Sequence, residues 1–366
     1  MTSLHLLAVL DVLSSTPARA KQLAPRPDGP LTHFASPLGE QCRLTVYLCA
    51  TTMSVVQVGD EIGLLPGSFP SVRSSVEWQS TTTDGNGSML IIDCHAHITS
   101  PDEERYPPRP NNPLRVPEGT GSLDELRRTS LANGVSAVRA VHTVSFYDYD
   151  NRYLCDAAKL NPSWMAGVCT LEPDDPHSPG LLEEFVREYG VKTLRSTPGN
   201  QRTTFDHDGV RKLWRTCADV GASVDIFLMR LEWVESAEKL LKEFPDITVG
   251  FCHCMDLKPG PQYDAVLREV LRLSKYKNLY AKVDFISTGT EQGYPGSDLH
   301  AAALKIIDTY GPERCVWGSN FPNSLWTPKL TYSEHLRIFT EALPLSDEAK
   351  AQVLGETARR LWFPQL

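Results

Sequence analysis

Nowhere in the 366 residues do Lys and Arg form a block, and the formal charge is −9. Both observations speak against a nucleic-acid binder. No apolar run approaches the roughly 18–20 residues that would cross a bilayer, so no membrane association is expected. The opening "MTSLHLLAVLDVLSSTPARA" has a short apolar core and a small-residue end. It lacks the basic start of a secretory leader, and Asp11 interrupts its core. The nine cysteines are odd in number, scattered and without CxxC spacing. That excludes a disulfide framework and points to a reducing, cytoplasmic setting. A GxGxxG turn after the first strand-like run is also missing, which weighs against a dinucleotide-binding sheet.

What is present divides into two parts. Residues 1–88 contain linker-like stretches such as "STPARAKQLAPRPDGP" and "QSTTTDGNGS". Only "CRLTVYLCATTMSVVQV" promises a strand or two, so this segment reads as an irregular or partly disordered extension, with Met89 an internal start. From Met89 onward, apolar runs end near Cys94, Val141, Leu171, Leu194, Leu228, Cys252, Val283 and Trp317. Helix-period segments such as "LDELRRTSLANG" and "YDAVLREVLRLSKY" lie between them. Strands separated by helices pair in parallel. Eight such units in residues 89–366 predict a (β/α)₈ TIM barrel, with a doubly wound sheet as the competing arrangement.

In such a barrel the residues just past each strand share one mouth. Read that way, the strand ends supply His95 and His97, then His142 with Tyr147 close behind. Later strands add Arg195, His253, Lys282 and Asn320. Strand side chains alternate, so His95 and His97 share a face with Cα atoms about 6.6 Å apart. They are placed to grip one metal ion or one substrate oxygen. Arg195 and Lys282 suit an anion-binding rim for carboxylates.

The motifs "IDCHAHI", "SFYDYDNRYL", "WMAGVC", "GVKTLR", "GFCH" and "VWGSNFP", in this order, resemble the amidohydrolase-related family. The likeness is greatest to its 2-pyrone-4,6-dicarboxylate lactonase-like branch and covers nearly all of 89–366. It implies a TIM-like barrel that hydrolyses a small carboxylated lactone, ester or similar ring compound. In metal-dependent members a first-strand HxH, a fifth-strand histidine and an eighth-strand aspartate bind zinc. The sixth-strand histidine does acid–base work in those members. His95, His97 and His253 match this pattern. The fifth strand offers Met229 and Arg230 instead of histidine, and Asn320 stands where the aspartate belongs. The lactonase-like branch also lacks the fifth-strand histidine and works without metal, but it uses the eighth-strand aspartate to activate water.

An asparagine cannot take a proton from water, and zinc favours anionic oxygen over a neutral amide. The expectation is therefore a metal-free site, with His95, His97 and His253 as donors should a divalent metal such as zinc be bound. The expected catalytic set is His253, Asn320, His95 and His97. Arg195, Lys282, His142 and Tyr147 are expected to hold a small acidic substrate. Two other accounts compete with hydrolysis: decarboxylation in the same mouth, and a catalytically impaired barrel that binds an acidic metabolite. The sequence says nothing of oligomeric state.

Overall fold

The computed structural model describes residues 54–58, 61–65 and 89–366, apart from 115, 118, 200 and 201. Contacts divide the chain into two units, 1–78 and 79–366. In the first, Ser54–Val58 and Glu61–Leu65 pair as an antiparallel hairpin. Ser54–Val58 falls within the run expected to make a strand or two. Otherwise the expectation for residues 1–88 lies outside the described residues, apart from the hairpin.

The second unit carries eight parallel strands in sequential order. They are β1 Ile92–His97, β2 Ala137–Val141, β3 Met165–Cys169, β4 Val191–Ser196, β5 Ser223–Ile226, β6 Val249–Phe251, β7 Leu279–Lys282 and β8 Cys315–Val316. Their apolar runs are buried on both faces, as parallel strands covered by helices require. The sheet closes on itself. Cys94 N–H donates to Trp317 O (3.0 Å), and His97 N–H donates to Phe321 O (2.8 Å). An open doubly wound sheet leaves its first and last strands unpaired, so this is the TIM barrel.

The outer helices form where the periodicity placed them, for local reasons. Leu123–Ala132 (α1) is capped by Ser122 Oγ, which accepts from Glu125 N–H at 3.2 Å. Asp208–Val220 ends at Gly221, whose φ of +72° is the left-handed conformation glycine adopts at least cost. The final helix, capped by Ser346, has a widened turn at Gln352–Glu356. That turn lets Val353 O accept Trp317 N–H at 2.9 Å, tying the helix to the end of β8. The last piece, Thr357–Trp362, brings Trp362 to the lower end of the barrel. Its indole N–H donates to Ser223 Oγ at the start of β5 (2.8 Å).

Above Trp362 the barrel interior is polar. The Arg139 guanidinium lies 3.6 Å from the Trp362 ring centroid and donates to Asp225 Oδ1 at 3.0 Å. Asp225 Oδ2 accepts from Lys282 Nζ at 2.9 Å. All three residues are wholly buried. Gly250, on the neighbouring strand, is needed because a Cβ there would collide with Asp225 Oδ1. This column carries charge from the floor of the barrel to the mouth.

Candidate active site

At the top of that column Lys282 Nζ donates to His95 Nδ1 at 2.8 Å. Burial is the largest influence and works against the lysine's charge, but Asp225, with Cys252 and Asp284, together outweigh it, and the ammonium pKa lies above its ordinary value. Burial, then the Lys282 charge, holds His95 well below the usual histidine range. His95 is therefore a neutral ring with its proton on Nε2. The Nε2 atoms of His95 and His97 are 3.2 Å apart, so this proton is aimed at His97. His97 in turn donates from Nδ1 to Val141 O at 2.9 Å. Burial and the nearby Arg195 keep its pKa well below the ordinary value too. One set of tautomers, assigned from the hydrogen-bond network, satisfies every contact in the chain.

His253 reaches the same hollow by a different route. β6 stops at Phe251, and residues 253–256 take φ values of +50°, +42°, +62° and +54°. None is glycine, and left-handed backbone costs ordinary residues roughly 1–2 kcal/mol each. Such outliers cluster at functional sites. The turn is held by Cys254 Sγ, which donates to Lys282 O at 3.4 Å. It sets the His253 ring 4.5 Å from that of His95, centroid to centroid.

The strand-eight segment is locked from below. Asp93 accepts from Ser319 N–H (2.9 Å), Ser319 Oγ–H (2.6 Å) and the Tyr332 hydroxyl (3.0 Å). Gly318 is required here, since a Cβ would lie 2.6 Å from His95 Cβ. Asn320 N–H donates to His95 O at 2.8 Å. The Asn320 side chain donates to Asp284 O (3.1 Å) and Ser287 Oγ (2.9 Å). The amide at the end of strand eight thus holds the loop that follows β7.

That loop carries a carboxylate which the strand-end inventory overlooked. Asp284 is wholly buried, and neither of its oxygens has a hydrogen-bond partner among the described residues. Oδ2 is 3.3 Å from His95 Nδ1, and Oδ1 is 3.3 Å from His253 Nδ1. The signal was in "AKVDF": Asp284 is two residues past Lys282 and shares its face at strand period. Arg139 and Asp225 were missed as well, although each is a charge in the middle of an apolar strand.

The other expected site residues fall as follows. Arg195 projects from β4 with its guanidinium 3.9 Å from the centre of the Phe227 ring. Among the described residues no carboxylate lies within 4.0 Å of it, and its Nε lacks a hydrogen-bond partner. Burial lowers its pKa from the ordinary value. Lys282 was expected at the rim; it is instead fully buried, with contacts to Asp225 and His95. His142 Nε2 donates to Asp148 O at 2.7 Å, and the Tyr147 hydroxyl accepts Ser100 N–H at 2.7 Å. Those two brace the loops behind the mouth. A cavity of about 370 Å³ is lined in part by Tyr149, Thr170, Thr197, Phe227 and Arg230, and by none of the three histidines. Phe227 joins the two regions, since its ring is also 6.2 Å from that of His253.

His95, His253 and Asp284 each bring one donor atom within 4.8 Å of the others, a grouping that could take a metal ion. The unpartnered oxygens of Asp284 favour a cation there; Lys282 does not. Its ammonium occupies His95 Nδ1, the atom that faces Asp284, and fixes the proton on Nε2. With these tautomers the HxH pair does not offer two lone pairs to one ion, and an ion on the Nδ1 side would meet a second positive charge.

A closed (β/α)₈ barrel with histidines and a carboxylate gathered at the carboxyl ends of its strands is a TIM-barrel scaffold with its chemistry at the mouth. The chain belongs to the amidohydrolase family, whose model matches residues 92–363. Among solved structures it is similar to a candidate 2-pyrone-4,6-dicarboxylic acid hydrolase from Pseudomonas putida. That pair is 24% identical over 76% of this chain and 99% of the other, with a TM-score of 0.61. A candidate hydrolase of the same kind from Acinetobacter baumannii, crystallised with citric acid, is 17% identical over 75% and 99%, with a TM-score of 0.60. The 5-carboxyvanillate decarboxylase of Sphingomonas paucimobilis is 15% identical over 75% and 99%, with a TM-score of 0.52. These likenesses are of fold. No curated protein matches the chain in sequence.

Proposed function

We propose that this protein hydrolyses a small carboxylated lactone or ester without a resident metal. The observation that carries the reading is the convergence of His95, His97 and His253 beside Arg195, a buried cation with no carboxylate within 4.0 Å among the described residues. A buried guanidinium without a carboxylate is a site for one from a ligand, which it grips with a planar fork of donors. Arg195 anchors the substrate carboxylate against Phe227, and the ring to be opened lies toward the histidines. His95 Nε2–H, with the Lys282 charge behind it, polarises the substrate carbonyl as a neutral imidazole donor. His253 takes a proton from the attacking water and later returns it to the leaving oxygen. His97 is the acceptor that holds the His95 proton in place until substrate arrives.

No step is assigned to zinc, because Lys282 against His95 Nδ1 leaves the donor set unsuited to a divalent ion. The test is a panel of lactones and esters with and without a carboxylate, read by acid release. Wild type is expected to turn over the carboxylated members, with His253→Ala lowering kcat by about 10²–10⁴. Full activity in His253→Ala would refute the assignment. Release of carbon dioxide without ring opening would make the barrel a decarboxylase, the activity of its Sphingomonas structural neighbour. Tight binding of carboxylates with no turnover would leave the impaired-barrel account.

A further inference from the structure

Asn320 lacks the acid that the end of strand eight was expected to provide, and the structure offers a carboxylate elsewhere. Asp284 stands two residues beyond β7 with no donor on either oxygen among the described residues, although it is wholly buried. Buried carboxylates without hydrogen bonds are costly and rare. No packing need explains an acid here, since Phe285 and Ile286 beside it are ordinary core residues. Its two oxygens instead face Nδ1 of His95 and Nδ1 of His253, each at 3.3 Å. At His95, Nδ1 is already engaged by Lys282, which leaves His253 as the ring free to turn an N–H toward Asp284. Catalytic hydrogen bonds are often long before substrate binds.

Asn320 holds the loop that carries this carboxylate. Both donors of its amide are used, on Asp284 O and on Ser287 Oγ. Ser287 Oγ itself donates to Asp284 O at 3.0 Å. An ionised aspartate at position 320 has no proton to donate to Asp284 O, and it could bond Ser287 only by drawing that hydroxyl's proton away from Asp284 O.

We infer that Asp284 is the carboxylate partner of His253, and that Asn320 positions it. The inference rests on the hydrolytic reading and completes it. The Asp284 carboxylate accepts Nδ1–H of His253 and so leaves Nε2 bare. As the water oxygen bonds to the substrate carbonyl carbon, its proton passes to Nε2, and Asp284 faces the resulting imidazolium. When the bond from that carbon to the leaving oxygen breaks, the Nε2 proton goes to that oxygen. One water is consumed, an acid and an alcohol group form, and Asp284 ends ionised as it began.

The experiment compares wild type with Asp284→Asn, Asp284→Glu and Asn320→Asp, using turnover of a carboxylated lactone and the ¹⁵N signals of the His253 ring. In wild type His253 is expected as the Nδ1–H tautomer. Asp284→Asn should lose that preference and lower kcat about 100-fold or more, with KM within about threefold. Asp284→Glu should recover the tautomer in part. Asn320→Asp should lower kcat at least about tenfold, and it stands as the test should Asp284→Asn fail to fold. The inference is overturned by an unchanged His253 tautomer in Asp284→Asn, by kcat within threefold of wild type in that variant, or by faster turnover in Asn320→Asp. Absence of turnover in wild type would defeat the hydrolytic reading alone. The tautomer comparison would then decide the Asp284–His253 pairing.

Discussion

Replacing Asp225 with asparagine tests the charged column beneath the mouth. Burial alone would raise the Asp225 pKa, but Arg139 and Lys282 outweigh it and bring the pKa from 3.8 to about 2. At about 1.4 kcal/mol per pH unit, that drop corresponds to roughly 2.5 kcal/mol of folding stability. Removing one partner of a buried ion pair costs about 3–5 kcal/mol, because the remaining charge is left uncompensated. Here two cations, Arg139 and Lys282, are left at once. Urea unfolding at pH 7, followed by tryptophan fluorescence and circular dichroism, should therefore show Asp225→Asn about 3–4 kcal/mol less stable than wild type. The pH dependence has a definite sign. The folded pKa is depressed, so the stabilisation is complete above about pH 4 and disappears as pH falls toward 2. The gap between the two proteins should narrow across that window. Replacing all three charges together (Arg139→Met, Asp225→Leu, Lys282→Met) should recover much of the loss. A deficit below about 1 kcal/mol at pH 7, or one that stays constant down to pH 2, would show that the column contributes through shape and not through charge.

Arg195→Met should raise KM for a carboxylated substrate about 10–100-fold, from the roughly 1.5–3 kcal/mol of a charge-assisted hydrogen bond, and Arg195→Lys should not restore it; steady-state kinetics on the panel checks both. Burial lowers the His142 pKa from 6.5 to about 4. The unfolded chain therefore binds a proton first as pH falls, and stability should drop between about pH 6.5 and 4 by about 3 kcal/mol at this residue; unfolding of His142→Gln over the same range should be that much flatter. Gly318→Ala places a methyl group against His95, and should cost about 1–3 kcal/mol in denaturation and at least about tenfold in turnover. Elemental analysis should find no stoichiometric zinc in the purified protein, and chelator treatment should leave lactone turnover unchanged.

The barrel was legible because its signals are local. Each strand is a short apolar run, each following helix has its own period, and stops such as Gly221 are visible one residue at a time. His95 and His97 were legible for the same reason, since alternation alone puts them on one face. Lys282 was misplaced at the rim because the partner that draws it inward, Asp225, is 57 residues away and belongs to another strand. Arg139 and Asp225 each read as a single charge inside an apolar run, and only the closed barrel brings them together. Asp284 escaped notice because the apolar run of β7 ends just before it and the loop that turns it inward is held by Asn320. Side-chain bonds to a distant backbone carbonyl leave no trace in periodicity or composition.

The geometry of a closed barrel explains how a carboxylate can change strands without leaving the site. Neighbouring strands lie about 4.8 Å apart, close to the reach of an aspartate side chain. An acid just past β7 and an acid at the end of β8 can therefore serve the same hollow, provided the backbone past β7 turns toward the axis. That turn is not given by the strand itself: the last ladder bond runs from Val283 N–H to Val316 O (2.9 Å), and the residue after it is free to leave the rim. The Asn320 amide supplies the restraint through Asp284 O and Ser287 Oγ. A carboxylate at position 320 would withdraw it. Position 320 therefore cannot be judged alone: restoring the family's aspartate there removes the donor that holds Asp284, so activity should follow Asp284 and Asn320 as a pair.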